Sequence, residues 1–280
     1  LLFKHLAYTF NRTARSFNYG IFGGPSDASA QTDAFSRPFY KTINRYSANF
    51  ALTADLCLGL LAGDIKRKEM LSGRLADIHA HLFIATAILK FYEKGQRSEV
   101  EQQHAQLALE KAFVKIQDAY DGLFANFPMR AAACVVKFIC FPFGRVAQQP
   151  SDQLKTLLGL AIMENNPFRE QLKQHVFYNT DPNDVFGRME NAFQAALKID
   201  PLWTKFKKAE SKGQFEGLDF ESHIQHALET GFISPEEADQ LIHYNAQRFD
   251  SMLTDIFDHE LEQTLSLNNP YHTKISDIRL

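Results

Sequence analysis

The chain is 280 residues long, 45% hydrophobic and formally −3 at pH 7, enough to bury a sizeable core as one large domain or two small ones. The charge is uneven: residues 1–74 hold ten Lys or Arg against five Asp or Glu, and residues 214–280 hold three against thirteen, so the two ends can attract one another within or between chains. No dense basic run with interleaved aromatics is present, which argues against a nucleic-acid partner.

Cys57, Cys134 and Cys140 sit in apolar helical contexts without metal-ligand spacing, the usage of a reducing, cytoplasmic compartment. Leu1 is not an initiator methionine, so the chain is expected to be a piece of a longer protein; no signal peptide is visible. No run reaches the roughly 18 to 20 uninterrupted apolar residues that span a bilayer.

Residues 1–19 place Leu2, Leu6, Phe10 and Phe17 at helical spacing with Lys4, Arg12 and Arg15 between them, which predicts a basic amphipathic helix. Gly20 to Thr32 gathers glycines, a proline and small polar residues and predicts a loop. Its Gly23-Gly24-Pro25 lacks the preceding strand and the spacing of a phosphate-binding loop. A long helix is expected from Asp33 to Gly63 on Ile43, Tyr46, Phe50, Leu52, Leu56, Leu60 and Leu61, with Gly63 stopping it and Asp64 capping the next.

That next helix, Asp64 to Tyr92, is the centre of the pattern. Leu71, Leu75, Ile78, Leu82, Ala85, Leu89 and Tyr92 recur at alternating spacings of four and three, a stripe made for packing on other helices. Phe83, Ile84, Ala87, Ile88 and Phe91 widen it, so the second half is expected to show little surface to solvent. Arg74 and Asp77, three apart, are expected to pair. Lys94-Gly95 ends the helix, and Ser98 with Glu101 forms the capping box of a fourth, to about Phe127. Ala105, Leu109, Ala112, Phe113, Ile116, Ala119, Tyr120 and Leu123 supply its apolar face.

Beyond Pro128 the predicted helices are shorter: one from Met129 to the Phe141-Pro142-Phe143-Gly144-Arg145 stop, one from Ser151, one after Asn165-Asn166-Pro167 to about Val176, and one opened by Asp181-Pro182-Asn183-Asp184 and running to Ile199. Asp200-Pro201 is expected to break this last helix before a basic continuation over 202–209. A final pair follows over 219–230 and 235–257, the second announced by Ser234-Pro235-Glu236-Glu237. The tail after Leu267 is expected to fray. No alternation suggests strands. The fold class is therefore all-α, an antiparallel helical bundle over 1–127 followed by a smaller domain of shorter helices over 128–280.

Candidate chemistry is sparse. His79 and His81 are about 200° apart on a helix and point to opposite sides. His223 and His226, with Glu221 nearby, share a helix edge but lack an H-E-x-x-H pattern, and a solvated face is the plainer reading. Asp55 and Asp77 are the carboxylates set among apolar residues, where burial would raise a pKa toward neutrality. Each also has a structural reading, Asp77 as the partner of Arg74 and Asp55 as a polar contact between helices. Ser72 and Cys57 have no base nearby. Ala131 to Phe143 is apolar but short and interrupted by Lys137 and Pro142; it reads as a buried helix or, alternatively, as an interfacial membrane-contacting one. The residues alone thus assign no catalytic, cofactor-binding or metal position and describe a helical scaffold or interaction region.

Several motifs follow one another in order: Ser47-Ala48-Asn49-Phe50-Ala51-Leu52, Gly63-Asp64-Ile65-Lys66-Arg67-Lys68-Glu69, Ser72-Gly73-Arg74-Leu75-Ala76-Asp77-Ile78, Asn126-Phe127-Pro128-Met129-Arg130, Phe141-Pro142-Phe143-Gly144-Arg145, Pro150-Ser151-Asp152, Asp200-Pro201-Leu202 and Gly231-Phe232-Ile233-Ser234. Together they resemble, over nearly the whole chain, the C-terminal region of bacterial long-chain fatty-acyl-coenzyme A dehydrogenases with an extended C-terminal domain. The chain departs at Ala62, where the family often has glycine, and at His81 and Phe83, where it has serine and tyrosine. The resemblance implies a parent flavoenzyme of fatty-acid β-oxidation. In such enzymes a glutamate takes the α-proton of a fatty acyl-coenzyme A while the β-hydrogen leaves as hydride to FAD, giving a trans-2-enoyl product.

It also implies that this glutamate and the flavin-contacting motifs lie upstream of Leu1; Glu69 is not the base. The expected partners are then the upstream catalytic half, the acyl-coenzyme A substrate and further copies in a homo-oligomer. By analogy, peripheral membrane contact through Ala131 to Phe143 is added, at the inner-membrane surface.

Overall fold

The structure, a computed structural model, describes residues 2–26 and 32–253. The expected fraying after Leu267 and the last turn of the helix expected to reach 257 lie outside the described residues. Among those described there are ten α-helices and no strand, so the fold is all-α as the periodicity predicts. Contacts divide the chain into two compact units, Leu1–Arg169 and Glu170–Leu280, each with its own apolar core.

The first unit contains α1 (Leu2–Phe22), α2 (Ser36–Leu61), α3 (Glu69–Lys94), α4 (Glu99–Asn126), α5 (Arg130–Cys140) and α6 (Asp152–Ile162). Successive long helices run antiparallel. Arg12 meets Asp55 and Ser16 meets Asn49, Tyr40 near the start of α2 reaches Glu93 near the end of α3, and Arg74 near the start of α3 lies over Gly122 near the end of α4. The predicted stripe of α3 faces inward: Leu71, Ile78, Leu82, Ala85, Leu89 and Tyr92 are buried against α2 and α4, and Leu75 is half-buried. The stripe predicted for α4 is buried throughout, and the Ser98–Glu101 capping box forms in both directions.

The 127/128 boundary drawn from composition falls inside this unit. Ala133, Val136, Cys140, Phe141 and Ala147 share one core with Tyr46, Tyr120 and Phe124, so α5 packs as part of the bundle.

Three local expectations are corrected. Asp64 does not cap α3. Residues Ala62–Lys66 wind as a 3₁₀ turn that begins at Ala62 with φ 48°, Asp64 pairs with Arg67 at 3.2 Å, and α3 starts only at Glu69. Arg74 does not pair with Asp77. Its guanidinium occupies the space that Gly122 leaves on α4, where an added Cβ would lie 2.8 Å from Nε, and it donates to the Met70 carbonyl at 3.3 Å, while Asp77 is solvent-exposed. The widened flank of α3 is covered only in part within the unit: Ile88 and Phe91 are half-buried, Ile88 against the core, whereas Phe83 is 72% exposed and Ile84 and Ala87 are exposed beside it.

The second unit is built from α8 (Val185–Glu210), α9 (Phe220–Glu229) and α10 (Pro235–Met252); α7 (Pro167–Lys173) spans the division. Pro201 does not break α8, which runs through it as one helix. The ring sits on the exposed side, while Ile199 before it and Phe206 and Ala209 after it are buried in one core with Ile224, Ala227, Ile233 and Leu241. Packing on both sides of the proline thus outweighs its local cost of about 3 kcal/mol. The Ser234–Glu237 capping box predicted for α10 is formed.

Candidate functional site

One group of polar residues in the first unit, Ser16, Arg45 and Asn49, converges on the end of α5. The Cys140 carbonyl accepts from Asn49 Nδ2 at 3.2 Å and from an Arg45 guanidinium nitrogen at 3.3 Å. Ser16 Oγ donates to Asn49 Oδ1 at 2.5 Å and lies 3.5 Å from Cys140 Sγ. Arg45 places a cation at a helix C-terminus, where the peptide dipoles favour it. Burial pushes the Cys140 thiol up to about 12 and the Cys57 thiol up to about 11, so both stay protonated at neutral pH and neither is a nucleophile.

The seam extends through α4: Tyr46 Oη donates to Gln117 Oε1 at 3.0 Å, the Val146 amide donates to the same oxygen at 3.3 Å, and Tyr120 Oη donates to the Tyr46 carbonyl at 3.1 Å. Phe141 fills the space between Tyr46, Tyr120 and Phe124, Gly144 takes φ 81°, and Arg145 holds Asp118 at 2.6 Å and Asp121 at 3.0 Å. The Phe141 to Arg145 motif is therefore a clasp that fastens the exit from α5 onto α4.

The remaining candidates are also engaged structurally. Asp55 forms an ion pair with Arg12 of α1, the contact between helices that its position suggests. Ser72 Oγ donates to the Glu69 carbonyl at 3.0 Å, and Glu69 is exposed in the first turn of α3. His79 stacks on Phe50 at 5.4 Å. His223 lies between two acceptors, Glu210 Oε1 at 2.9 Å from Nδ1 and the Gly217 carbonyl at 3.2 Å from Nε2, whereas His226 packs by the Phe215 ring. The Glu210 hydrogen bond raises the His223 pKa above 6.5. Among the described residues no three His, Cys, Asp or Glu side chains form a group able to hold a metal ion. Gly24 lets α1's exit press on α2, since an added Cβ would lie 2.6 Å from the Lys41 carbonyl, and Asn44 Nδ2 ties the Pro25 carbonyl at 2.8 Å.

A groove of about 490 Å³ between α2, α4 and residues 146–151 is lined by Phe39, Thr42, Gln106, Glu110, Phe113 and Gln148 among others. No cationic side chain lines it and Glu110 adds a negative charge, so its lining does not suit the diphosphate of FAD.

Two exposed apolar faces stand out instead. On α3, Gly73, Ala76, Ala80, Phe83 and Ala87 repeat the three-four spacing of the buried stripe and are all exposed. The helix thus carries a second apolar face roughly opposite its first. Leu58 and Leu60 at the end of α2 are also exposed. By length and composition Ser36–Lys66 and Glu69–Lys94 are apolar enough to cross a bilayer, with 33% and 28% of the relevant stretch buried. Of this outer stripe only Phe83 and Ala87 stand out in the sequence as apolar; Gly73, Ala76 and Ala80 are too small to mark a face, and only their three-four spacing signals it.

The second face joins α1 and α5. Phe10, Ala14, Phe17 and Ile21 form an exposed stripe on α1, and Ala131, Cys134, Val135 and Phe138 form one on α5. Phe17 and Phe138 link the two with ring centroids 6.2 Å apart. Gly20 permits this approach, because an added Cβ would lie 2.9 Å from Pro142 Cδ. Ala131 to Phe143 is thus neither wholly core nor wholly surface: Phe141 is 4% exposed and Phe138 60%.

No solved structure matches the chain. The family model described as acyl-CoA dehydrogenase, C-terminal, bacterial type, matches residues 1–257, and the chain belongs to that family, as part of an acyl-CoA dehydrogenase.

Proposed function

We propose that this chain is the non-catalytic, C-terminal helical part of an FAD-dependent dehydrogenase that converts fatty acyl-coenzyme A to trans-2-enoyl-coenzyme A in β-oxidation, and that its work is to dock on the catalytic half. The observation that carries the reading is the double-sided α3. A helix apolar on opposite faces is an interior helix of a larger body. One face is covered by α2 and α4, and the outer one, centred on Phe83, is left for a partner. The carboxylates singled out from the sequence support a scaffold role, since Asp55 is held by Arg12 and Asp77 is in solvent. The base and the flavin contacts then come from the upstream half, and copies of the whole enzyme associate as a cytoplasmic homo-oligomer. The buried free thiols of Cys57 and Cys140 suit that compartment.

The test is Ala80→Asp/Phe83→Asp in the intact dehydrogenase. Both side chains point away from the bundle core, so thermal unfolding of the isolated chain should be unchanged, while the intact enzyme loses flavin, activity or oligomeric mass. Unchanged activity and mass, or turnover of acyl-coenzyme A by the isolated chain, would falsify the proposal.

A further inference from the structure

We propose that the groove between α2, α4 and residues 146–151 is a binding site for a small organic cation, an ammonium carried on an apolar body. The groove is formed in advance of any ligand. Arg145 Nε donates to the Ala147 carbonyl at 3.1 Å, the Val146 amide donates to Gln117 Oε1 at 3.3 Å, and Ser151 caps α6, so the extended wall is fastened at both ends. Its volume of about 490 Å³ lies in the range of small-ligand sites.

The lining selects the class of ligand. Phe39 and Phe113 supply aromatic surface, their rings 26° from parallel with centroids 6.3 Å apart, and Val146 adds an aliphatic flank. Glu110 lines the same groove and is half-buried. Its Oε1 accepts from Gln106 Nε2 at 2.8 Å, and among the described residues no ion pair reaches it. Lys41 and Lys111, next in sequence to lining residues, are exposed and outside the lining. A carboxylate beside aromatic rings, apart from the chain's own cations, attracts a ligand's positive charge both directly and through the ring quadrupole. The carboxamide oxygens of Gln106 and Gln148 can accept further N–H groups without adding charge. Other classes fit less well. An anion meets Glu110 and no cation, a divalent metal needs several oxygen ligands and finds one carboxylate, and a polyammonium chain brings charges that one carboxylate leaves unmatched. The site goes beyond the docking role of α3 and does not depend on it.

The probe is phenethylammonium, with phenethyl alcohol and phenylacetate as its neutral and anionic counterparts, titrated into the intact protein at neutral pH and followed by saturation-transfer NMR. Saturable binding with a Kd of about 1 mM is expected for the ammonium, binding about five-fold weaker for the alcohol, and none for phenylacetate over the same range. Glu110→Gln keeps an oxygen that accepts from Gln106 and removes the charge. It should bring the ammonium to the affinity of the alcohol and leave the alcohol unchanged. Asp77→Asn, at an exposed carboxylate outside the groove, should change neither. If the Glu110 variant unfolds, salt decides: raising it should weaken the ammonium and spare the alcohol, and equal sensitivity overturns the proposal. Absence of saturable binding, equal affinity for ammonium and alcohol, or an ammonium affinity untouched by Glu110→Gln in the folded variant overturns it as well. So does tighter binding of acetyl-lysine methylamide than of phenethylammonium, which would give the groove to a lysine of a protein partner.

Discussion

His223 shows how one side chain can carry a pH dependence. Both ring nitrogens face acceptors, Glu210 Oε1 and the Gly217 carbonyl, and only the imidazolium can donate to both. Lys207 opposes this charge from α8, and Glu210 outweighs it, so the pKa is raised above 6.5. A group whose pKa is higher in the folded state contributes stability that is complete below its unfolded value of 6.5 and is lost as pH rises through the folded value. The difference in melting temperature between the parent chain and His223→Ala should therefore be largest in mild acid and shrink toward alkaline pH. An NMR titration of His223 with a midpoint at or below 6.5 would contradict it. This residue was legible in the sequence only as a solvated histidine, because its partners come from the end of α8 and from a loop carbonyl that no spacing rule connects to it.

At the scale of elements, the inward stripes of α3 and α4 were readable because local periodicity and burial coincide there. The pairing of Arg74 was not. An i,i+3 partner offers a few tenths of a kcal/mol, and the slot left by Gly122 on a different helix offers the arginine stem a packed site instead. The same logic separates the glycines. At Gly20 an added methyl would meet Pro142 Cδ at 2.9 Å and the Ile139 carbonyl at 3.1 Å, whereas at Gly159, inside α6, it would meet nothing within 4 Å. Gly20→Ala should cost about 1–3 kcal/mol by forcing α1 off α5, and Gly159→Ala should add about 0.5–1 kcal/mol through helix propensity. Urea unfolding monitored by circular dichroism distinguishes the two, and equal effects of one sign would refute the packing argument. Pro201 marks the limit of propensity in the opposite sense, since a strong local breaker is overridden by the core on both sides of it.

For the whole molecule, the class of fold, the capping boxes and the order of helices were all in the sequence. Which apolar surfaces would remain uncovered was not, because that depends on which helices become neighbours. Phe83 and Leu82 are adjacent and equally apolar, yet one is exposed and the other is core. Apolar faces of this kind promote association when their partner is missing. The isolated chain should therefore self-associate as its concentration rises, and Phe83→Lys/Ile84→Lys should shift it toward monomer in sedimentation equilibrium without lowering its melting temperature. A monomeric parent chain, or a variant that associates equally, would dismiss the α3 face as the cause.

The carbonyl of Cys140 also sets an order of events. It gathers donors from 91 and 95 residues earlier in the chain, and the Cys140 thiol meets a hydroxyl 124 residues earlier. Contacts of such separation close late, because the loop entropy must be overcome before they reward the chain. During synthesis α1 can find α2 early, but the side of it that meets Phe138 and Pro142 waits until α5 has left the ribosome. A chain truncated before residue 138 would thus hold its first helix by one side only, and amide exchange in α1 would report that loss.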